Sequence, residues 1–417
     1  MDRGLNVRSE IGELRVVMLH RPGDELLNLS PDTLGPLLFD DIPYLSVAQQ
    51  EHDSFAGMLR SEGVEVVYLD KLVAEALDAE PTAREKFTDD YLAQCGVDGL
   101  GVKAAIRERL DSIPDTLEFV RKTITGVRAD ELDVGRHGAM SLADVLEKNG
   151  EDNSGIVVDP IPNIYFTRDT FSVIGSGVSM NRMRSATRRR ESLYGTYLFR
   201  YHPAFKGAPL WYSPKYPYHI EGGDILVLQD DLIAVGISER TQPAAIDLLA
   251  KNLLWGKVDS GIRRVYAFSI PHKRSFMHLD TVFTQVDVDK FTVHPGILGR
   301  LSVFELTRGS REGETRIRQM EGSLDKILAH ALGLPAVRLI KCGGDDPIAS
   351  AREQWNDGSN TLAVRPGTVF VYQRNAVTND ILYKEGLTLL EVPSAELSRG
   401  RGGPHCMSMA FLRDAVE

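Results

Sequence analysis

The chain has 417 residues, 42% of them hydrophobic and 26% charged, proportions that allow a globular protein with a large core. Its 48 basic and 59 acidic residues leave a formal charge of −11, which argues against a nucleic-acid binder. Three cysteines without a CxxC spacing make neither a disulfide framework nor a zinc finger, and no stretch reaches about 18 apolar residues, so we expect a cytoplasmic protein without membrane contact.

In chain order, residues 1–15 hold no apolar run, so we expect no Sec export signal. Residues 14–20 read as a buried strand closed by the turn Pro22-Gly23. Ser46 and Gln49 have capping-box spacing ahead of Phe55, Met58 and Leu59, which predicts a helix ending at Gly63, and residues 64–69 predict the next strand. From 75 to 150 strand signals are scarce. Thr82 and Glu85 offer another capping box; Ala105, Ile106 and Leu110, then Leu117, Val120 and Ile124, recur at helical spacing. We expect an inserted α-helical bundle over 75–150, with Cys95 in its core, inside an α/β body formed by 1–74 and 151–417.

The body then repeats a hairpin, helix and strand. Asp169 leads into the first hairpin, Glu221 and Asp224 into the second, with a helix at 243–254 after it. His278 and Asp280 lead into the third, set two apart as if on one side of a strand. An irregular excursion, a helix near 324–331 and a strand at 337–340 follow. Asn360 leads into the fourth hairpin, a short helix near Ile381 and a strand at 387–392. With the N-terminal strand, turn, helix and strand this makes five ββαβ copies. Five copies can close into a pseudo-symmetric ring with the strand ends at its axis. Polar residues at equivalent strand starts then converge on one place.

The stretch from Arg399 to Cys406 holds three glycines and a proline, which exclude a regular element and deliver His405 and Cys406 on a tight loop near Arg401. Read alone, Cys406 is a free surface thiol. Beside several carboxylates it suits a different chemistry. Asp169 and Asp280 could grip a planar guanidinium from two sides, the thiolate could attack its central carbon, and His278 could protonate departing ammonia and then activate water. Arginines would meet a carboxylate at the ligand's far end. Cys342 reads as a buried strand-end residue, and GxGxxG and P-loop patterns are absent.

The runs Phe-Thr-Arg-Asp (166–169), Glu-Gly-Gly-Asp (221–224), Met-His-Leu-Asp-Thr (277–281) and Arg-Glu-Gln-Trp (352–355) resemble the arginine deiminases, within the guanidino-modifying superfamily. So do Asp-Gly-Ser-Asn (357–360), Leu-Leu-Phe-Asp-Asp (37–41) and the segment 398–407. The resemblance implies a five-bladed α/β-propeller with an inserted helical domain, and hydrolysis of L-arginine to L-citrulline and ammonia without metal or cofactor. By the matching motifs, Cys406 would form a thiouronium adduct and His278 would be the acid and base. Asp169 and Asp280 would bind the guanidinium, with Glu221 close by. Arg188, Arg240 and Asn163 would hold the α-carboxylate, Arg401 would gate the loop, and Leu38 and Phe166 would line the entry. We expect a homo-oligomer, a dimer or tetramer, acting on a small molecule. Three other readings use the same residues. They are an amidinotransferase or a hydrolase of agmatine or methylarginine, a metal-dependent hydrolase with Glu221, Asp224, His278 and Asp280 as ligands, and a non-catalytic arginine-binding protein.

Overall fold

An antiparallel neighbour needs only a turn, whereas a parallel neighbour needs a crossover, here a helix. That rule generates the body four times in succession. In the computed structural model, which describes residues 4–137, 140–150, 153–299 and 301–416, Phe171–Ile174 pairs antiparallel with Gly177–Met180. The helix Glu191–Tyr201 then carries the chain to Leu210–Tyr212, parallel to the second strand. The same order recurs in Ile225–Gln229, Leu232–Ile237, helix Pro243–Trp255 and Arg264–Ser269. It recurs again in Phe283–Asp287, Lys290–Val293, helix Leu324–Leu332 and Arg338–Lys341. Leu362–Arg365, Thr368–Tyr372, helix Ala376–Lys384 and Thr388–Val392 form the fourth.

The fifth unit joins the two ends of the chain. Leu14–Leu19 runs parallel to Glu65–Tyr68 across the helix Leu45–Ser61, but its antiparallel partner is Met409–Arg413. The N-terminal strand therefore has no hairpin of its own, contrary to the expectation from sequence. The consequence is functional. Cys406 precedes Met409–Arg413 as Asp169 precedes Phe171–Ile174 and Asn360 precedes Leu362–Arg365, so the thiol occupies the fifth equivalent position.

Other expectations need correction. The excursion after the third hairpin is itself a hairpin, Ser302–Arg308 with Thr315–Met320, which widens the second of these sheets to five strands. Thr315–Met320 is largely exposed, so it shows no apolar alternation. Neither expected capping box forms. Tyr44, not Ser46, precedes the first helical residue, and Thr82 makes no cap bond to its helix. His278 and Asp280 do not share a strand face; His278 caps the short helix Leu279–Val282, which holds Asp280. Over the segment expected to be helical lie Leu69–Asp78, Ala83–Gln94, Leu100–Asp111, Thr116–Thr125 and Leu142–Glu147. The Phe87 ring contacts Phe119 there and Tyr194 and Tyr197 of the body, with centroids 5.0–5.8 Å apart. No helix among the described residues is long and apolar enough to cross a membrane.

Candidate active site

All three cysteines are free and buried, Cys406 included, so the surface-thiol reading fails. The loop before it is pressed against its neighbours. A Cβ at Gly402 would stand 2.3 Å from the Phe166 ring, and one at Gly403 2.6 Å from the Asn360 carbonyl oxygen. Just before them, Arg401 takes a left-handed φ of 60°. The loop is thereby seated so that Cys406 lines a cavity of about 230 Å³, with His278 and Asp169 also in its wall.

Cys406 Sγ approaches Asp280 Oδ2 at 3.4 Å and accepts from Asn360 Nδ2 at 3.2 Å. Burial, then the charges of Asp280, Asp169 and Asp357, push the thiol well above its ordinary pKa. Burial alone would raise the Asp280 carboxyl, but the His405 hydrogen bond together with the charges of His405, His278 and Arg168 holds it below its usual range. His405 bridges Asp280 Oδ2 at 2.8 Å and Glu10 Oε2 at 3.0 Å.

The acid–base group sits at the other wall. His278 Nε2 lies 2.8 Å from Glu221 Oε2 and Nδ1 lies 3.7 Å from Asp169 Oδ1. Burial works against a charged ring, but Asp169, the Glu221 hydrogen bond and Asp224 outweigh it and lift the imidazole to about 9. Glu221 is likewise buried, and Arg240 and His278 hold its carboxyl well below the normal range. Asp224 accepts from the Leu279 N–H at 2.8 Å and fixes the short helix that His278 caps. Burial raises Asp224 to about 7.

Of the remaining sequence-selected residues, Leu38, Asn163, Phe166, Arg188, Arg240 and Arg401 all line the cavity. Glu221 and Asp280 lie behind that wall, each touching a residue in it. Asn163 donates to the Leu37 carbonyl at 2.6 Å, and Leu38 has a left-handed φ of 63°. Arg188 is more engaged than expected: Nη1 donates to Asp169 Oδ2 at 2.8 Å, and Nε and Nη2 grip Glu191. Arg240 Nη1 reaches Glu221 Oε2 at 3.4 Å. Arg401 stacks over Trp355, 3.6 Å from the ring centroid, and faces Asp40 at 3.7 Å.

Sequence reasoning missed Glu10, His405 and Glu191 as parts of this network. His405 had a signal in its place beside Cys406; Glu10, almost 400 residues away in the chain, had none. Asn360 was placed at the convergence point without a contact to the sulfur.

Asp169, Glu221 and His278 bring one ligand atom each within 4.8 Å of one another, the spacing of a metal set. Asp224 and Asp280 do not join that group. Arg188 and Arg240 already pair with its two carboxylates, and the imidazole is held protonated, so the donor set is matched by fixed cations and suits proton transfer better than a divalent ion.

Two carboxylate oxygens, Asp169 Oδ1 and Asp280 Oδ1, are buried without a hydrogen-bond partner among the described residues. They flank a thiol and an imidazole, an arrangement for a planar cation. The fold itself is shared with solved structures of low sequence identity. It is similar to a saxitoxin-pathway amidinotransferase from Microseira wollei, with TM-score 0.55, 15% identity and coverage of 99% of this chain and 98% of that one. It is also similar to dimethylarginine dimethylaminohydrolase from Pseudomonas aeruginosa, with TM-score 0.50, 13% identity and coverage of 96% and 100%. The sequence model described as arginine deiminase matches residues 35–413. The chain is 51% identical over 413 residues to arginine deiminase of Treponema denticola, covering 99% of each, and 50% identical over 417 residues to that of Clostridium perfringens, again covering 99% of each. The chain belongs to the arginine deiminase family, and it is a hydrolase of a guanidino C–N bond.

Proposed function

We propose that the protein converts L-arginine and water to L-citrulline and ammonium through a covalent adduct on Cys406. The observation that carries this reading is that Asp169 Oδ1 and Asp280 Oδ1, both buried and without a hydrogen-bond partner among the described residues, stand beside a buried thiol. Asp169 and Asp280 bind the guanidinium, and its positive charge offsets the carboxylates that disfavour a thiolate. The thiol releases its proton to solvent on binding. The sulfur attacks the guanidinium carbon, and His278, protonated at neutral pH, gives a proton to the departing nitrogen so that ammonia leaves. Neutral His278 then takes a proton from water as its oxygen adds to the thiouronium carbon. Collapse expels the thiolate and leaves citrulline, whose surplus proton passes to ammonia.

Arg240, Arg188 and Asn163 receive the α-carboxylate, Leu38 and Phe166 line the entry, and Arg401 gates the loop. The five repeated units support a five-bladed α/β-propeller of residues 1–74 and 151–417 with the helical insertion at 75–150. Homo-oligomeric assembly and a cytoplasmic location complete the reading. Product assay tests it: L-arginine gives citrulline and ammonia in the presence of a chelator, with a kcat/KM far above that for agmatine or methylated arginines. A better substrate among those analogues, or loss of activity in chelator restored by a divalent ion, contradicts it.

A further inference from the structure

Asn360 is fully buried, two residues before the strand Leu362–Arg365. Its Oδ1 accepts the Cys406 N–H at 3.0 Å, and its Nδ2 donates to the Asp280 carbonyl at 3.0 Å and to Cys406 Sγ at 3.2 Å. The two backbone partners settle which end of the amide is which. An N–H faces one end and a C=O faces the other, so the amino group must be the end that meets the sulfur. Gly403, where a Cβ would come within 2.7 Å of Asn360 Oδ1, lets the loop close onto this side chain.

We propose that Asn360 is a catalytic residue of the reaction, resting on the assignment of Cys406 as nucleophile: its Nδ2–H aims the sulfur lone pair and stabilises the thiolate. The other groups that face the sulfur work the opposite way. Asp280 comes from the short helix Leu279–Val282, Asp169 from the segment before Phe171–Ile174, and Asp357 from the turn before Asn360, and all three oppose a negative sulfur. The cations nearby are committed elsewhere. Arg188 is held by Asp169 and Glu191, His278 by Glu221, His405 by Asp280 and Glu10, and Arg401 lies over Trp355. Among the described residues Asn360 alone gives Sγ a hydrogen-bond donor. A neutral amide takes no proton from the thiol. When the thiol loses its proton, the N–H···S contact becomes charge-assisted and strengthens, while Oδ1 keeps the backbone of Cys406 in place.

The test reads the sulfur itself. The free enzyme is alkylated with iodoacetamide across the titration of its thiol, and the peptide carrying Cys406 is quantified by mass spectrometry. Asn360→Asp retains the acceptor for the Cys406 N–H and replaces the donor by a charged oxygen. Its alkylation midpoint should rise by about one pH unit or more, with kcat down about 100-fold and arginine still bound. Asn360→Ala, which adds no charge and decides the matter if the first variant does not fold, should slow alkylation at fixed pH by about tenfold. Folded variants whose alkylation profiles superimpose on the wild type overturn the proposal. Retained turnover in Cys406→Ser overturns the nucleophile assignment instead, independently of those profiles.

Discussion

Cys406 is surrounded by acids that disfavour its ionised form, and the guanidinium of the substrate is the group that would correct this. Reactivity is then coupled to binding. Cys406→Ser should abolish turnover while arginine still binds, because a hydroxyl stays protonated where a thiol does not; kinetics with calorimetry would check it, and near-normal turnover would contradict it. His278 titrates the other way. Its folded pKa of about 9 lies above the ordinary 6.5, so the stabilisation it gains from Glu221 and Asp169 is fully present below 6.5 and is lost as pH rises through about 9. Glu221→Gln removes the nearest source of that shift and should move the upper limb of the kcat profile down in pH. An unmoved limb would assign it to another group. Arg240→Ala should cost arginine about 1.5–3 kcal/mol in kcat/KM and agmatine, which lacks the carboxylate, much less. Equal losses would make Arg240 structural, through its contact with Glu221.

At the scale of elements, the site depends on a strand that joins the chain's two ends. Phe411, in Met409–Arg413, lies 5.1 Å from the Phe205 ring and 6.2 Å from that of Phe171. Phe411→Ala should destabilise by about 3–5 kcal/mol, read in denaturant unfolding, with activity lost in step with folding. Loss of activity with unchanged stability would show a direct role instead. This strand is also where sequence reading stopped short. Hairpins closed by local turns were legible because turn residues and apolar runs adjoin. The partner of Leu14–Leu19 was not, since almost 400 residues separate the two strands. Thr315–Met320 escaped because its two apolar residues, Ile317 and Met320, fall on opposite faces, and the short helix holding Asp280 because four residues carry no helical period. Site residues were legible where motifs carried them. Their pairing was not: Arg188 on Asp169 and Glu191, and Glu10 behind His405, depend on tertiary approach alone.

The whole molecule brings segments from residue 10 to residue 406 to one small cavity, with a layer of buried ion pairs behind its wall. Fixed cations already balance the carboxylates that could hold a metal, so activity should be indifferent to exhaustive chelation, and a divalent-dependent recovery would overturn that assignment. The central claim is that carbon–nitrogen cleavage proceeds through sulfur. Rapid quench of the wild-type enzyme with L-arginine, followed by mass spectrometry of the intact chain and of the Cys406 peptide, measures this directly. The account predicts an adduct on Cys406 that rises and decays within one turnover, ahead of citrulline. Citrulline formed in the first turnover with no adduct on Cys406, even with a slowly processed substrate, would contradict it and point to direct attack by water.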